Sequence, residues 1–398
     1  MYILGINISH HTSTCLMYND KVVYYIEEER LSRDKYHQLE KHDNKLYCLD
    51  HIKKYTNHIN YIVFSSFGRR GNDDQVIIQS IIDQFKDNHI TYDSYIFNHN
   101  QHHLYHASCG FYGSEFNDAV CLVLDGGGSY DRNDFEKLKE EYNHPFREIE
   151  SIYSCDYKSG IKELYKHYAL LDWDETTAHH DEIFFTSESS GYKKVFSHTS
   201  SCGDLFNGLS HILKYENGGY DAGKLMGLSS YGKYQLSHFL TLSIPMPFMD
   251  REWFYKKEDE WITVRKIFNI ISSDCDEIQQ TFIGDESYDI SKPYNALHLL
   301  NSMFAYKLQL ETQKHTIRLI EKAIKLSNKK NIILSGGYAL NCVNNFYYRK
   351  MLPKDISIFI DPISNDAGTA IGAAKLLWHS LNKNDMKLDK LETLYLGP

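Results

Sequence analysis

At three separated places an apolar strand runs straight into a turn of small residues, and after two of them helical spacing begins. Ala119–Leu124 ends in Asp125-Gly126-Gly127-Gly128-Ser129, and Asn331–Leu334 ends in Ser335-Gly336-Gly337, with a helix expected from about Ala339. Ile356–Ile360 leads through Asn365-Asp366-Ala367-Gly368-Thr369 into a helix expected over Ala370–Leu381. Strands that alternate with helices through tight turns give an α/β fold, because the helices cover the sheet. The N-terminal segment adds strands around turns: Ile3–Ile8, Thr14–Tyr18 and Val22–Ile26, with Asn19-Asp20-Lys21 as a hairpin signal. Tyr61–Ser65 reads as a short buried strand, and Gln75–Phe85 as a helix with Val76, Ile77, Ile81 and Phe85 on one side. Asn295–Leu326 reads as a long helix or helix pair, with Leu299, Met303, Phe304, Leu308, Ile317, Ile320 and Ile324 at helical spacing. From Asp131 to about Tyr220 the pattern is polar, aromatic and weakly periodic, so strands and loops of an elaboration are expected there.

Composition removes several classes. No run approaches eighteen consecutive apolar residues, so no transmembrane helix is expected. Met1-Tyr2-Ile3-Leu4-Gly5-Ile6 lacks a basic leader and a cleavage site, and reads as a first strand. The 8 cysteines include no CxxC pair, which fits reduced thiols and a cytoplasmic protein. A net charge of −10 disfavours a polynucleotide-binding surface. The adjacent basic pairs Lys53-Lys54, Arg69-Arg70, Lys193-Lys194, Lys256-Lys257 and Lys329-Lys330 are each only two residues long. No GxxxxGK[ST] or GxGxxG motif is present, so neither a P-loop nor a Rossmann site is supported.

Chemistry concentrates at the turns. If Asn100–Phe111 is helical, His102 and His106 stand at i and i+4 on one face, close enough to share one metal ion. His103 and His106, at i and i+3, are the alternative pair. In a chain with 21 histidines, each has the ordinary explanation of a surface residue. Asp125 ends a buried strand before three glycines, and Asp366 opens a helix after a strand. Either is equally explained as a turn or helix cap. Together the four would form a mixed nitrogen–oxygen site suited to iron, zinc or manganese. Ser335-Gly336-Gly337 lets backbone approach a nucleotide at a helix start, and Lys224 lies among small residues in Asp221–Leu228. Glu27-Glu28-Glu29-Arg30 is expected to be a solvated charged stretch.

Taken in order, these segments resemble the NodU/CmcH/TobZ family of O-carbamoyltransferases. The residues that carry the resemblance are Leu4-Gly5-Ile6-Asn7 with His11 nearby, Glu27–Lys35, His102–His106, Val123-Leu124-Asp125-Gly126, Gly223–Gly232, Leu334–Asn341 and Asn365–Gly372. The resemblance implies a duplicated α/β fold of the ASKHA (actin/sugar-kinase-like) type, with lobe I at 1–115 and lobe II at 116–398, the latter with an insertion at about 131–220. Together the lobes would form one TsaD-like carbamoyl-transfer domain with no YrdC-like domain. The metal ligands implied are His102, His106, Asp125 and Asp366, with Fe(2+) as the expected ion. Gly126, Gly127, Gly128, Lys224, Gly336, Gly337 and Asn341 match nucleotide-binding stretches for ATP or carbamoyl-adenylate. Lys35 falls near the carbamoyl-adenylate, and His11 on the histidine that deprotonates the acceptor hydroxyl. One departure is local: the family's His-Asp-Ala-Ser stands here as His11-Thr12-Ser13-Thr14 with His10 beside it, which leaves both histidines as candidates for the base.

The resemblance thus implies the transfer subunit of an O-carbamoyltransferase, served by a YrdC-like activating subunit. The acceptor expected is a small hydroxylated molecule, a modified nucleoside or nucleotide included, with no membrane involved. The competing readings are a TsaD-type tRNA threonylcarbamoyl transferase and a non-catalytic nucleotide-binding regulatory subunit. A sugar kinase fits least, since kinases of this fold need no His-His-Asp-Asp cluster.

Overall fold

The computed structural model describes residues 1–68, 73–131, 146–170, 183–189, 192–197, 201–212, 221–239, 293–382, 393 and 396–397. The chain divides into two compact units, one of Met1–Leu170, Ile183–Ser197 and Ile317–Pro398, the other of Leu171–Glu182 and His198–Thr316.

The first unit opens with strands β1 (Tyr2–Asn7), β2 (Ser13–Tyr18) and β3 (Lys21–Glu27), followed by the short helices α1 (Glu29–Ser32) and α2 (Leu49–Ile52). Strand β4 (His58–Ser65), helix α3 (Asp73–Asp87), strand β5 (Thr91–Phe97) and helix α4 (His102–Gly113) come next. The five strands form one sheet in the order β3-β2-β1-β4-β5. β1 pairs antiparallel with β2 and parallel with β4, and β5 continues the parallel side.

The same plan is then repeated. β6 (Asp118–Leu124), β7 (Tyr130–Asp131), β8 (Phe146–Asp156), β9 (Gly160–Leu170), β10 (Ile183–Ser189) and β11 (Tyr192–Ser197) precede the helical stretch of the second unit. That stretch holds α5 (Cys202–Ile212), α6 (Ala222–Phe239) and the start of α7 (Pro293–Ser327). The chain ends with β12 (Asn331–Ser335), a 3-10 turn at Gly337–Leu340, α8 (Cys342–Met351), β13 (Ser357–Ile360) and α9 (Gly368–Asn382). The second sheet runs β10-β11-β9-β8-β6-β12-β13, and its path β9-β8-β6-β12-β13 reproduces β3-β2-β1-β4-β5. Here too the central strand has an antiparallel neighbour on one side and a parallel one on the other. This duplication is the ASKHA arrangement. β8 and β9 fall inside the stretch expected to be an elaboration, yet they fill the places of β2 and β3.

Strands central to such sheets are buried on both faces, which is why Ala119–Leu124 and Ile332–Leu334 are continuously apolar. Helices α4 and α9 pack against one another, and α9 also lies on β1, β2 and β4. Their shared core holds Ile3, Val63, Tyr105, Phe111, Val123, Ile333, Ile371 and Trp378. Among the described residues no helix is long and apolar enough to cross a membrane.

Three local expectations need correction. Val76 is 62% exposed, because α3 buries the face of Ile77, Ile78, Ile81 and Phe85. The helix expected near Ala339 starts at Cys342, where the Asn341 side chain accepts the Asn344 amide (3.1 Å) and sets the start. Glu28 is not solvated: it is fully buried, and its carboxylate accepts the amides of Tyr47 (2.8 Å) and Cys48 (3.3 Å). Burial pushes its pKa upward against those bonds. The expected long helix is the single α7, with Leu308 and Ile320 buried and Ile317 and Ile324 half-buried. The side chains of Leu299, Met303 and Phe304, and the pairs Arg69-Arg70 and Lys256-Lys257, lie outside the described residues.

Candidate metal centre

His102 and His106 occupy the first turns of α4, and their buried rings lie 4.7 Å apart with the two Nε2 atoms at 3.2 Å. Asp125 follows the last residue of β6. Its Oδ1 accepts the Gly337 amide (2.9 Å), which aims Oδ2 at His102 Nε2, 3.4 Å away. Asp366 lies in the turn before α9, with Oδ1 at 3.6 Å from both imidazole Nε2 atoms. Its Oδ2 accepts the Ser9 hydroxyl (2.7 Å) and lies 3.3 Å from His10 Nδ1. Asp366 was expected to sit at the helix start, where a cap would be ordinary; its carboxylate instead turns to these side chains.

The four donor atoms lie within 4.8 Å of one another. An ion bonded at about 2.0–2.2 Å to each of several donors holds neighbouring donors roughly 3.0–3.5 Å apart. The His102–His106 and His102–Asp125 spacings, 3.2 and 3.4 Å, fall in that range, and those from Asp366 to the two imidazoles, 3.6 Å each, lie just above it. Electrostatics agree. Burial alone would raise both carboxylate pKa values, yet His102 outweighs it at Asp125, and His10, His102 and His106 outweigh it at Asp366. Both aspartates are therefore anionic. Burial lowers the pKa of His102, but Asp366 and Asp125 more than reverse this. Two carboxylates and two imidazoles converging in this way make a donor set of two nitrogens and two oxygens that could hold a divalent ion.

The alternative ligand His103 turns elsewhere. Its Nδ1 is 2.8 Å from Ser151 Oγ, its ring is 6.4 Å from that of His106, and burial pushes its pKa down to about 3. The i,i+4 pair therefore converges and the i,i+3 pair does not.

The two candidate bases differ in environment. The His10 side chain is 38% exposed and touches Asp366. His11 packs against His10 (4.5 Å) and Tyr36 (5.5 Å), and its pKa is pushed down to about 4 by burial and by neighbouring His10. Lys35 is exposed, with Nζ 4.6 Å above the Tyr36 ring, and its charge is felt at His11.

The stretches expected to hold nucleotide are partly used by the fold itself. Gly336 has φ 91°, and a Cβ there would stand 2.3 Å from the Leu124 carbonyl oxygen, while the Gly337 amide serves Asp125. A Cβ on Gly127 would strike the Arg147 guanidinium, and one on Gly128 the Glu148 carboxylate. Arg147 Nη2 and Nε donate to the carbonyls of Gly127 (2.6 Å) and Gly128 (3.2 Å). Gly126 begins this loop, directly after Asp125. Lys224, in the second unit, pairs with Asp221 (2.8 Å). Ser9, Arg147 and Glu148 went unnoticed in the sequence; β8 lies in the polar, weakly periodic stretch from Asp131 to about Tyr220, where no residue stands out.

The fold is a duplicated ASKHA α/β fold, and it carries a buried His-His-Asp-Asp cluster of the kind that could hold a metal ion. Within that class the chain belongs to the carbamoyltransferase family, whose profile, described as the carbamoyltransferase N-terminus, matches residues 2–375. It is similar to the Synechocystis protein named "Uncharacterized protein sll1178", at 24% identity over 100% of this chain and 60% of that one. It is also similar to nodulation protein NolNO of Sinorhizobium fredii, at 22% identity over 98% of this chain and 49% of that one. The chain thus spans about half to three fifths of the length of these curated relatives. Among solved structures, HypF of T. kodakarensis aligns over 97% of this chain and 49% of its own, with 14% identity and a TM-score of 0.49.

Proposed function

We propose that this chain is the transfer unit of an O-carbamoyltransferase, moving a carbamoyl group from carbamoyl-adenylate to an acceptor hydroxyl. The observation that carries the reading is the family membership joined to a four-donor cluster with a histidine, His10, on its rim. The acceptor oxygen bonds to the carbamoyl carbon, the bond from that carbon to the adenylate oxygen breaks, and AMP leaves. A divalent ion, iron in this reading, would supply Lewis-acid stabilisation of negative charge on phosphate and carbonyl oxygens.

The hydroxyl proton goes to His10. Its Nδ1 faces Asp366 Oδ2, so the carboxylate orients the ring and stabilises the imidazolium that forms. Burial and neighbouring His10 push the pKa of His11 down to about 4, which makes it a poor proton acceptor at neutral pH. Lys35 adds positive charge where the donor's charge develops. Gly126, Gly127, Gly128, Gly336, Gly337 and Asn341 belong to the stretches that would take the nucleotide.

Carbamoyl-adenylate itself is made from carbamoyl phosphate and ATP by a YrdC-like activity acting with this unit. The acceptor is a small hydroxylated molecule, in keeping with the charge of −10. The test supplies labelled carbamoyl phosphate, ATP and a YrdC-like protein, with and without this chain, to a panel of hydroxylated acceptors. Label should appear as a carbamate ester with AMP released only when the chain is present. Adenylate formation with no chain-dependent ester, in protein shown to hold its metal, would sink the proposal.

A further inference from the structure

Beneath the donor cluster lies a charged group that the transfer chemistry does not use. Glu148, on β8, is 1% exposed. Its Oε1 accepts the amides of Ser129 (2.8 Å) and His103 (3.2 Å), and its Oε2 meets Lys166 Nζ at 2.9 Å. Lys166 in turn reaches Glu163 (2.7 Å) and lies 5.9 Å from the rings of Tyr153 and Tyr168. A buried ion pair of this kind is weak evidence of added stability, since apolar residues of the same volume usually do as well. Its bonds to the backbone point to something more specific.

The first amides of a helix have no partner within the helix. At α4 the N-cap residue, Gln101, provides no side-chain bond. The acceptors come from elsewhere: Ser129 Oγ takes the His102 amide (3.3 Å), and Glu148 takes that of His103. A carboxylate at this end also suits the helix dipole. The backbone of Glu148 is tied to the same loop, accepting the Gly128 amide (2.8 Å) and donating to the Ser129 carbonyl (3.0 Å). One side chain thus fastens the start of α4, which carries His102 and His106, to the loop that begins at Asp125.

We propose that Glu148 is a positioning residue for the metal centre, fixing the helix that bears the two histidines against the turn that bears Asp125. This rests on the reading of the His102, His106, Asp125 and Asp366 cluster as a metal site. Lys166 compensates the charge that this role buries.

Two variants of the full chain separate positioning from plain stability. Glu148→Leu removes the acceptor of both amides; Lys166→Met breaks the same ion pair and leaves both amide bonds in place. With Co(2+) as probe, Glu148→Leu should weaken binding about 10- to 100-fold, the range for groups that orient metal ligands. Lys166→Met should lower thermal stability yet stay within about threefold of wild-type affinity. In metal-free protein, exchange of the Ser129 and His103 amides should quicken about tenfold or more in Glu148→Leu. Wild-type Co(2+) affinity in Glu148→Leu would overturn the proposal. If the wild-type chain takes up no Co(2+), the metal reading is what fails. Exchange then decides the hold of Glu148 on the two elements: quickened exchange supports it, and unchanged exchange overturns it.

Discussion

Replacing Gly372 by alanine should damage both the fold and the metal centre, although the residue touches no ligand. A Cβ at 372 would lie 1.9 Å from the Tyr105 carbonyl oxygen and 3.0 Å from the Cys109 amide nitrogen, both backbone atoms of α4. Reaching ordinary contact requires α9 and α4 to separate by roughly 1.5 Å. That movement stretches the bond from Ser108 Oγ to the Gly372 carbonyl (2.7 Å). It also draws Asp366, just before α9, away from His102 and His106 on α4. In a formed metal site the metal–ligand distances agree with their ideal values to within about 0.2 Å. Overpacking typically costs about 1–3 kcal/mol, and backbone cannot yield as a side chain can. Alanine's better helix propensity returns up to about 1 kcal/mol, so a net loss near 2 kcal/mol is expected. For a unit of this size that is roughly a 4–8 °C fall in Tm. Gly113→Ala is the control, since a Cβ there meets nothing within 4 Å and should change Tm little. Thermal denaturation and metal titration read the two effects. Wild-type Tm and wild-type metal affinity in Gly372→Ala would refute the packing argument.

Other substitutions test separate parts of the account. His10→Ala should slow carbamoyl transfer by roughly 10²–10⁴-fold while leaving nucleotide binding near normal; a larger loss in His11→Ala than in His10→Ala would reverse the assignment. Glu28→Ala should cost about 1–3 kcal/mol by leaving the Tyr47 and Cys48 amides without their acceptor, whereas exposed Arg30→Ala should stay within about 0.5 kcal/mol in urea melts. Glu148 is predicted to make part of the acid sensitivity: burial works against the charge, but His103 and Lys166 hold its pKa down to about 2, below the 4.5 of the free group. A depressed carboxylate pKa contributes stability that is full above the unfolded value and is lost as pH falls from about 4.5 toward 2, so Glu148→Gln should show a shallower loss over that window.

The strands were legible because their burial is written into composition. Ala119–Leu124 is apolar throughout, as a strand covered on both faces must be. The donor cluster was legible because His102 and His106 carry helical spacing, and because Asp125 and Asp366 sit at turns of small residues. What stayed hidden depended on partners far along the chain. Glu28 reads as one of four charged neighbours until Tyr47 and Cys48 turn their amides toward it. Glu148 lies in a polar, weakly periodic stretch, and Lys166 and the start of α4 become its neighbours only once the sheet forms. His10 and His11 are adjacent in sequence but differ in exposure and in contact with Asp366, and sequence alone carries no information on which faces it. Val76 shows the limit of period counting: a one-residue phase error moves a side chain from core to solvent.

The most direct test of the central claim is the metal content and ligation of the full chain purified without chelators. Elemental analysis and X-ray absorption should find about one divalent ion per chain, bound by nitrogen and oxygen at about 2.0–2.2 Å with two imidazoles in the ligand set. The content should fall away in His106→Ala and in Asp366→Ala. A fully active wild-type protein with no bound ion, or an ion retained unchanged in both variants, would contradict it.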